Sequence, residues 1–202
     1  MKRILAAFIL GTFLGSANAA LIDRGAGLVY DDVLDITWTQ NANNNGLAIW
    51  ADQVAWADGF TLGGFTAWRL PTTTQPDTGC TGQIDPGGGF PLQGIDQGCT
   101  GSEMGHLFHV DNISAAVQGP FTNIQTISYW SGTEYVPSPS FAWFFNFGSS
   151  SGQNIDSKTV DVVFAWAVHD GNPGGAVVPI PAAVWLFGSA LGLLGWIRRK
   201  AT

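Results

Sequence analysis

An uncharged apolar run, Ala182 to Ile197, lies near the end of this chain, and it removes that end from any fold built in water. Val178-Pro179-Ile180-Pro181 leads into the run and Arg198-Arg199-Lys200 follows it. The run is slightly short of the ~20 residues that span a bilayer comfortably. The basic cluster reads as a stop-transfer signal expected to stay on the cytoplasmic side. The other end carries a complementary signal. Lys2-Arg3 is a basic region, Ile4 to Leu14 an apolar one, and Ala17-Asn18-Ala19 an A-x-A site, so residues 1–19 read as a secretory signal peptide cut between Ala19 and Ala20. Neither end is expected to contribute to the fold. What remains, residues 20–172, is the size of one domain and long enough to bury a core. Residues 173–177 then act as a linker to the tail at 178–202.

The tail, with its proline motif, apolar stretch and basic stop, closely resembles the PEP-CTERM class of sorting signals in the variant that reads Val-Pro-Leu-Pro-Ala, with Ile180 in place of the leucine. The resemblance implies processing by an exosortase, a membrane-embedded cysteine transpeptidase, and therefore a transient stay in the inner membrane before release to the cell surface or extracellular matrix. The alternative is an ordinary C-terminal anchor.

Setting the ends aside changes the electrostatics. Of the eight basic residues, Lys2, Arg3, Arg198, Arg199 and Lys200 lie in the targeting segments, whereas all fifteen acids fall between Asp23 and Asp170. The exported part thus sets three positive side chains against fifteen negative ones. Such a surface repels phosphate backbones and excludes nucleic acid as a partner. It suits calcium, neutral sugars or cationic polymers, or serves solubility alone.

Cys80 and Cys99 are the two cysteines, and in an oxidising compartment they are expected to form a disulfide. The repeated Gly-Cys-Thr-Gly at 79–82 and 98–101 brackets a Gly- and Pro-rich insert, 83–97, whose composition suits neither helix nor regular strand. Loop-closure arithmetic assigns such a staple about 3 kcal/mol. No third cysteine and no histidine lies nearby in sequence, which argues against a metal or redox site there.

Along the domain, Leu28 to Thr39 reads as a hairpin around an acidic turn, and Ala48 to Phe60 as a short amphipathic helix. Trp68-Arg69-Leu70-Pro71 is a brief strand stopped by proline. Thr100 to Glu103 has capping-box spacing and opens a second helix reaching about Val110. Ser128 to Ser131, Phe141 to Phe147 and Thr159 to His169 read as three strands, rich in aromatic and β-branched residues. In the second of these the odd positions are all aromatic, which predicts one buried sheet face. The expectation is an α+β domain, two short helices packed on antiparallel strands.

Gly27-Leu28-Val29-Tyr30-Asp31-Asp32, Ile36-Thr37-Trp38, Trp68-Arg69-Leu70-Pro71, Gly101-Ser102-Glu103-Met104-Gly105-His106-Leu107-Phe108, Tyr129-Trp130-Ser131-Gly132-Thr133-Glu134-Tyr135 and Ala165-Trp166-Ala167-Val168 occur in this order. Together they resemble the Lcl C-terminal domain family of bacterial surface proteins over nearly all of the exported part. The resemblance implies a C-type lectin-like fold, in which first and last strands pair and a long central loop often carries binding. It also implies affinity for sulfated polysaccharides, which the acidic balance of this chain opposes. After the last strand, where the family usually has an arginine, stands His169-Asp170-Gly171.

Candidate chemistry is sparse. Asn41-Ala42-Asn43-Asn44-Asn45-Gly46 and Asp52 match EF-hand spacing, but three of the four side-chain donors are neutral amides that hold Ca²⁺ feebly, and asparagines favour turns without a metal. Glu103, His106 and His109, spaced by three, could share a helix face, yet they lack the i, i+4 histidine pair of a zincin, and helix packing with Glu103 as capping acid is the simpler expectation. Asp31, Asp32 and Asp35 cluster on a turn that could bind calcium together with backbone carbonyls, although a solvated turn is the commoner arrangement. Nothing places two carboxylates across a cleft, no nucleophile elbow occurs, and the cysteines do not map onto those of formylglycine-generating enzymes. No enzyme, no cofactor and no metal is the resulting expectation. Of the seven tryptophans outside the ends, Trp68, Trp130 and Trp166 are expected in the core. Trp50, Trp56 and Trp143 could serve either core or sugar stacking, and Phe90 in the insert suits a binding surface. The function read from the sequence is non-catalytic adhesion or polysaccharide binding through the Cys80–Cys99 loop and its neighbours. The alternative is a structural surface or biofilm protein without a small ligand.

Overall fold

The computed structural model describes residues 21–81, 98–148 and 152–174. The segments expected to be a signal peptide and a sorting tail, and the whole insert 83–97 with Phe90, lie outside the described residues.

The acidic turn at Asp31 to Ile36 closes a hairpin between β2 (Leu28–Asp31) and β3 (Ile36–Thr39), in the register Val29↔Trp38 and Asp31↔Ile36. Asp31 shapes the turn by accepting the Val33 and Leu34 amides at 3.0 Å each. A strand not foreseen from sequence, β1 (Leu21–Gly25), pairs antiparallel with β2 through a turn in which Gly25, Ala26 and Gly27 all have positive φ. Glycine relieves two of those three left-handed positions. The last strand, β7 (Val168–Asp170), pairs with β3, giving the order β1-β2-β3-β7. The strand that meets the last one is therefore the third, not the first.

A second antiparallel sheet contains β4 (Ser128–Glu134), β5 (Phe141–Asn146) and β6 (Gly152–Ser157). As the alternation predicts, Trp143, Phe145 and Phe147 are buried. Between β3 and β4 in the chain lie α1 (Trp50–Gly59) and α2 (Glu103–His109). The domain is thus α+β, with two antiparallel sheets and two helices. Among the described residues no helix is long and apolar enough to cross a membrane.

The expected strand over Thr159 to His169 is corrected to β7 at its end alone. Val163 to Val168 is buried throughout, but its backbone serves several partners in turn rather than one ladder. Val163 bridges Ala48, Phe164 bridges Tyr129, the Ala167 carbonyl accepts from the Thr39 amide, and Val168 bridges Arg69. This segment ties the two sheets and α1 together, and it satisfies the backbone groups its burial takes from water. Around it packs an aromatic core. Trp166 lies 5.1 Å from Trp38 and 4.9 Å from Phe121 between ring centroids, and donates its indole N–H to the Thr39 carbonyl at 2.8 Å. Edge-to-face pairs of this kind add about 1 kcal/mol each beyond their buried area.

Candidate functional site

The Trp-Arg-Leu-Pro segment forms no strand of its own. Arg69 instead makes an isolated bridge to Val168, with both N–H···O distances at 2.8 Å. That anchor aims the guanidinium at two acids. Nη1 and Nη2 donate to the two oxygens of Glu103 at 2.8 and 2.7 Å, while Nε and Nη2 donate to Asp170 Oδ1 at 2.9 and 2.6 Å. Burial alone would lower the Arg69 pKa, but the hydrogen bonds and charges of Glu103 and then Asp170 outweigh it and hold it above its ordinary value. Glu103 is the first residue of α2, whose N-cap Ser102 makes no side-chain cap bond, so the expected capping box is not formed. Its carboxylate also accepts the Thr72 amide at 2.7 Å. Asp170 was not foreseen as part of this group.

The Tyr-Trp-Ser segment locks onto the same stretch. Ser131 Oγ and the Gly132 amide both donate to the Pro71 carbonyl, at 2.8 Å each, and the Trp50 indole N–H donates to the Ser131 carbonyl at 2.8 Å. Beside this junction opens a cleft of about 220 Å³ lined by Val54, Asp58, Trp68, Arg69, Leu70, Thr72 and Gly132. Its floor is apolar. Its polar groups are a carboxylate, a hydroxyl and a guanidinium already neutralised by two acids, a set able to hydrogen-bond neutral hydroxyls.

The disulfide forms a second feature. Cys80 and Cys99 are bonded, as expected. Asp77, fully buried and missed in the sequence, organises the residues around them. Its Oδ1 accepts the Gly79 amide at 2.8 Å, its Oδ2 accepts the Ser102 hydroxyl at 3.0 Å, and both accept the Gly101 amide at 3.2 Å. A histidine does stand close in space. His109 Nε2 accepts the Gly98 amide at 3.2 Å, and burial lowers its pKa, with the Asp77 charge pulling the other way. The two cysteine sulfurs, being bonded to each other, are not metal ligands despite their proximity to Asp77.

The remaining candidates separate. Glu103, His106 and His109 do not converge: Glu103 turns to Arg69, His109 to the disulfide, and His106 to Asp111, with Nε2 to Oδ2 at 3.8 Å. The acidic turn is not uniformly solvated, because Asp31 is 1% exposed. Asp35 accepts the Tyr30 hydroxyl at 2.8 Å, which raises the tyrosine's pKa. In the asparagine loop, Asn41 Oδ1 accepts the Asn43 amide and Asn43 Oδ1 the Gly46 amide, so these oxygens act as turn-formers. Asn45 donates instead to Gln53, a fully buried α1 side chain whose own amide reaches the Gly46 and Val163 carbonyls. Asp156 and Asp161 do meet, and burial followed by the Asp161 hydrogen bond raises the Asp156 pKa. His109 accepts a backbone amide and His169 Nδ1 lies 2.6 Å from the Asp170 carbonyl oxygen.

No family model, curated protein or solved structure matches this chain.

Trp143, left open between core and ligand stacking, is completely buried, as are Trp38, Trp130 and Trp166, with Trp68 at 2% exposure. Trp50 is partly exposed and carries the Lys158 ammonium over its ring at 4.6 Å, while Trp56 packs on Phe60.

Proposed function

We propose that this chain is an exported, non-catalytic binding module of the Lcl C-terminal type, with a C-type lectin-like domain that takes neutral extracellular polysaccharide. The observation that carries the reading is the cleft bounded by Asp58, Arg69 and Thr72 over Trp68 and Leu70. Polar groups beside apolar side chains suit sugar hydroxyls and C–H faces. Because Glu103 and Asp170 already neutralise Arg69, the cleft offers no free cation for a sulfate or phosphate. The secretory and sorting signals in the sequence support delivery to the surface or matrix by an exosortase, with a transient membrane stage.

A second reading, a structural surface protein without a small ligand, is favoured by the fate of the tryptophans. Five of the seven outside the targeting ends are buried in the core rather than displayed.

Calorimetric titration of the full-length protein with dextran, laminarin and dextran sulfate, in calcium and then in chelator, separates the readings. Saturable binding of a neutral glucan that Asp58→Ala and Thr72→Ala each weaken supports the lectin-like reading. Loss of that binding in chelator adds calcium to it. Preference for dextran sulfate contradicts the neutral-ligand reading, and no binding to any of the three puts the structural reading first.

A further inference from the structure

Three buried side-chain atoms without a hydrogen-bond partner occur together: Asp31 Oδ2, His106 Nε2 and Asp111 Oδ2. They come from three places in the chain, the end of β2, the middle of α2 and the loop that follows it. One donor atom from each residue lies within 4.8 Å of the other two. Asp31 is 1% exposed, and the His106 and Asp111 side chains are 12% and 4% exposed. At 3.8 Å, His106 Nε2 and Asp111 Oδ2 stand beyond hydrogen-bonding range, so even this pair does not satisfy itself.

Orphan polar atoms are rare inside proteins, because each gives up its hydrogen bonds to water without replacement, and a charged one loses more. Two carboxylates held together away from water add mutual repulsion to that cost, which one imidazole cannot offset at this distance. We propose that Asp31, His106 and Asp111 form a binding site for a divalent transition-metal cation, with Zn²⁺ the best match. An imidazole nitrogen beside two carboxylate oxygens suits zinc or manganese, whereas calcium prefers six to eight oxygens. Ligands about 2.1 Å from one zinc ion stand roughly 3.4 Å apart in a tetrahedron. The 3.8 Å between His106 and Asp111 is close to that, and a small inward movement of the three side chains closes the rest.

Further observations fit a metal ligand set. Asp31 uses its other oxygen, Oδ1, on the Val33 and Leu34 amides, which orients the carboxylate as outer-shell hydrogen bonds orient metal ligands. The near-complete burial of the carboxylates makes the ion structural. It would staple the β2 turn to α2 and the chain beyond it. The site is independent of the sugar-binding reading, since none of its three residues lines the cleft.

The test uses full-length protein stripped with EDTA and dialysed, then titrated calorimetrically with Zn²⁺, Mn²⁺ and Ca²⁺. Expected are one equivalent of Zn²⁺ bound, a rise in Tm on loading, and an affinity weakened about 100-fold or more in Asp111→Asn and His106→Gln. Asp31→Asn is avoided because Asp31 also shapes its turn. His109→Gln, outside the cluster, should bind as wild type does. Loading with Co²⁺ gives a direct readout, a visible absorption band that appears with wild type and is absent with Asp111→Asn. The proposal is overturned if wild type binds none of the cations, or if Asp111→Asn binds Zn²⁺ as tightly as wild type, the signature of surface carboxylates. Calcium binding with no zinc binding would also overturn it.

Discussion

Arg69 holds both oxygens of Glu103 in a two-pronged grip, at 2.8 and 2.7 Å, across 34 residues of sequence. Fork-to-fork pairing of this kind is the strongest arrangement open to the two groups. It also joins the Trp-Arg-Leu-Pro segment to the start of α2, and through Asp170 to the last strand. The segment is irregular by itself, and this ion pair supplies order that its own backbone ladder does not.

Removing either partner leaves a half-buried charge behind. Arg69→Ala and Glu103→Ala should each destabilise the domain by about 3 kcal/mol, with the double variant well short of the sum. Arg69→Lys should recover only part of the loss, because an ammonium cannot reproduce the fork. Urea denaturation of wild type and the four variants measures this. An additive double variant would show that the two residues act separately.

How far the sequence discloses this arrangement depends on the range of the forces involved. The β2–β3 hairpin, both helices and the aromatic strand β5 are written in local alternation and turn chemistry, so they are legible. β6, Gly-Gln-Asn-Ile-Asp-Ser, carries no such alternation, and its strand state comes from six paired positions on β5. Glu103 illustrates the limit. Its spacing from Thr100 imitates a capping box, but the helix begins at Glu103 itself and its carboxylate belongs to a residue far away in sequence. Asp77 and Asp111 were missed for the same reason. A carboxylate's burial is decided by what the rest of the chain packs over it, and no neighbour in sequence reports that.

Asp77 and the disulfide should act as one unit. Asp77→Ala leaves the Gly79 and Gly101 amides and the Ser102 hydroxyl without their acceptor, and should cost about 3 kcal/mol. Breaking the bridge by Cys80→Ser with Cys99→Ser should cost about 3 kcal/mol from the freed loop. Because Asp77 bonds residues on both sides of the bridge, the triple variant should lose less than the sum. Chemical denaturation with and without reductant gives the comparison. A wild-type midpoint that reductant leaves unchanged would remove the bridge from the account of stability.

Gly105 sits inside α2, where alanine would ordinarily favour the helix by about 1 kcal/mol. Here a Cβ would come to 2.0 Å from the Cys99 carbonyl oxygen. That atom is backbone next to the disulfide and cannot swing aside. Gly105→Ala should therefore destabilise the fold by about 3 kcal/mol despite its better propensity. Thermal unfolding decides the matter, and a Gly105→Ala protein as stable as wild type would mean that α2 stands farther from Cys99 than described.

His109 gives the domain a pH dependence of definite sign. Its Nε2 accepts the Gly98 amide, so the folded protein needs that nitrogen unprotonated, and burial lowers the pKa in the same sense against the opposing charge of Asp77. In the unfolded chain the imidazole titrates near its ordinary value of about 6.5. Above that pH both states hold it neutral and its contribution to stability is complete. As pH falls below about 6.5 the unfolded state takes up the proton first, and stability declines until the pH has passed through the lowered folded value. The loop bearing Gly98 should loosen over the same interval. Glutamine at this position can still accept a hydrogen bond but cannot titrate. Urea midpoints between pH 7.5 and 5 should therefore drop less steeply for His109→Gln than for wild type. Equal slopes would assign the pH dependence to other groups and leave His109 a packing residue against Phe108 and Phe145.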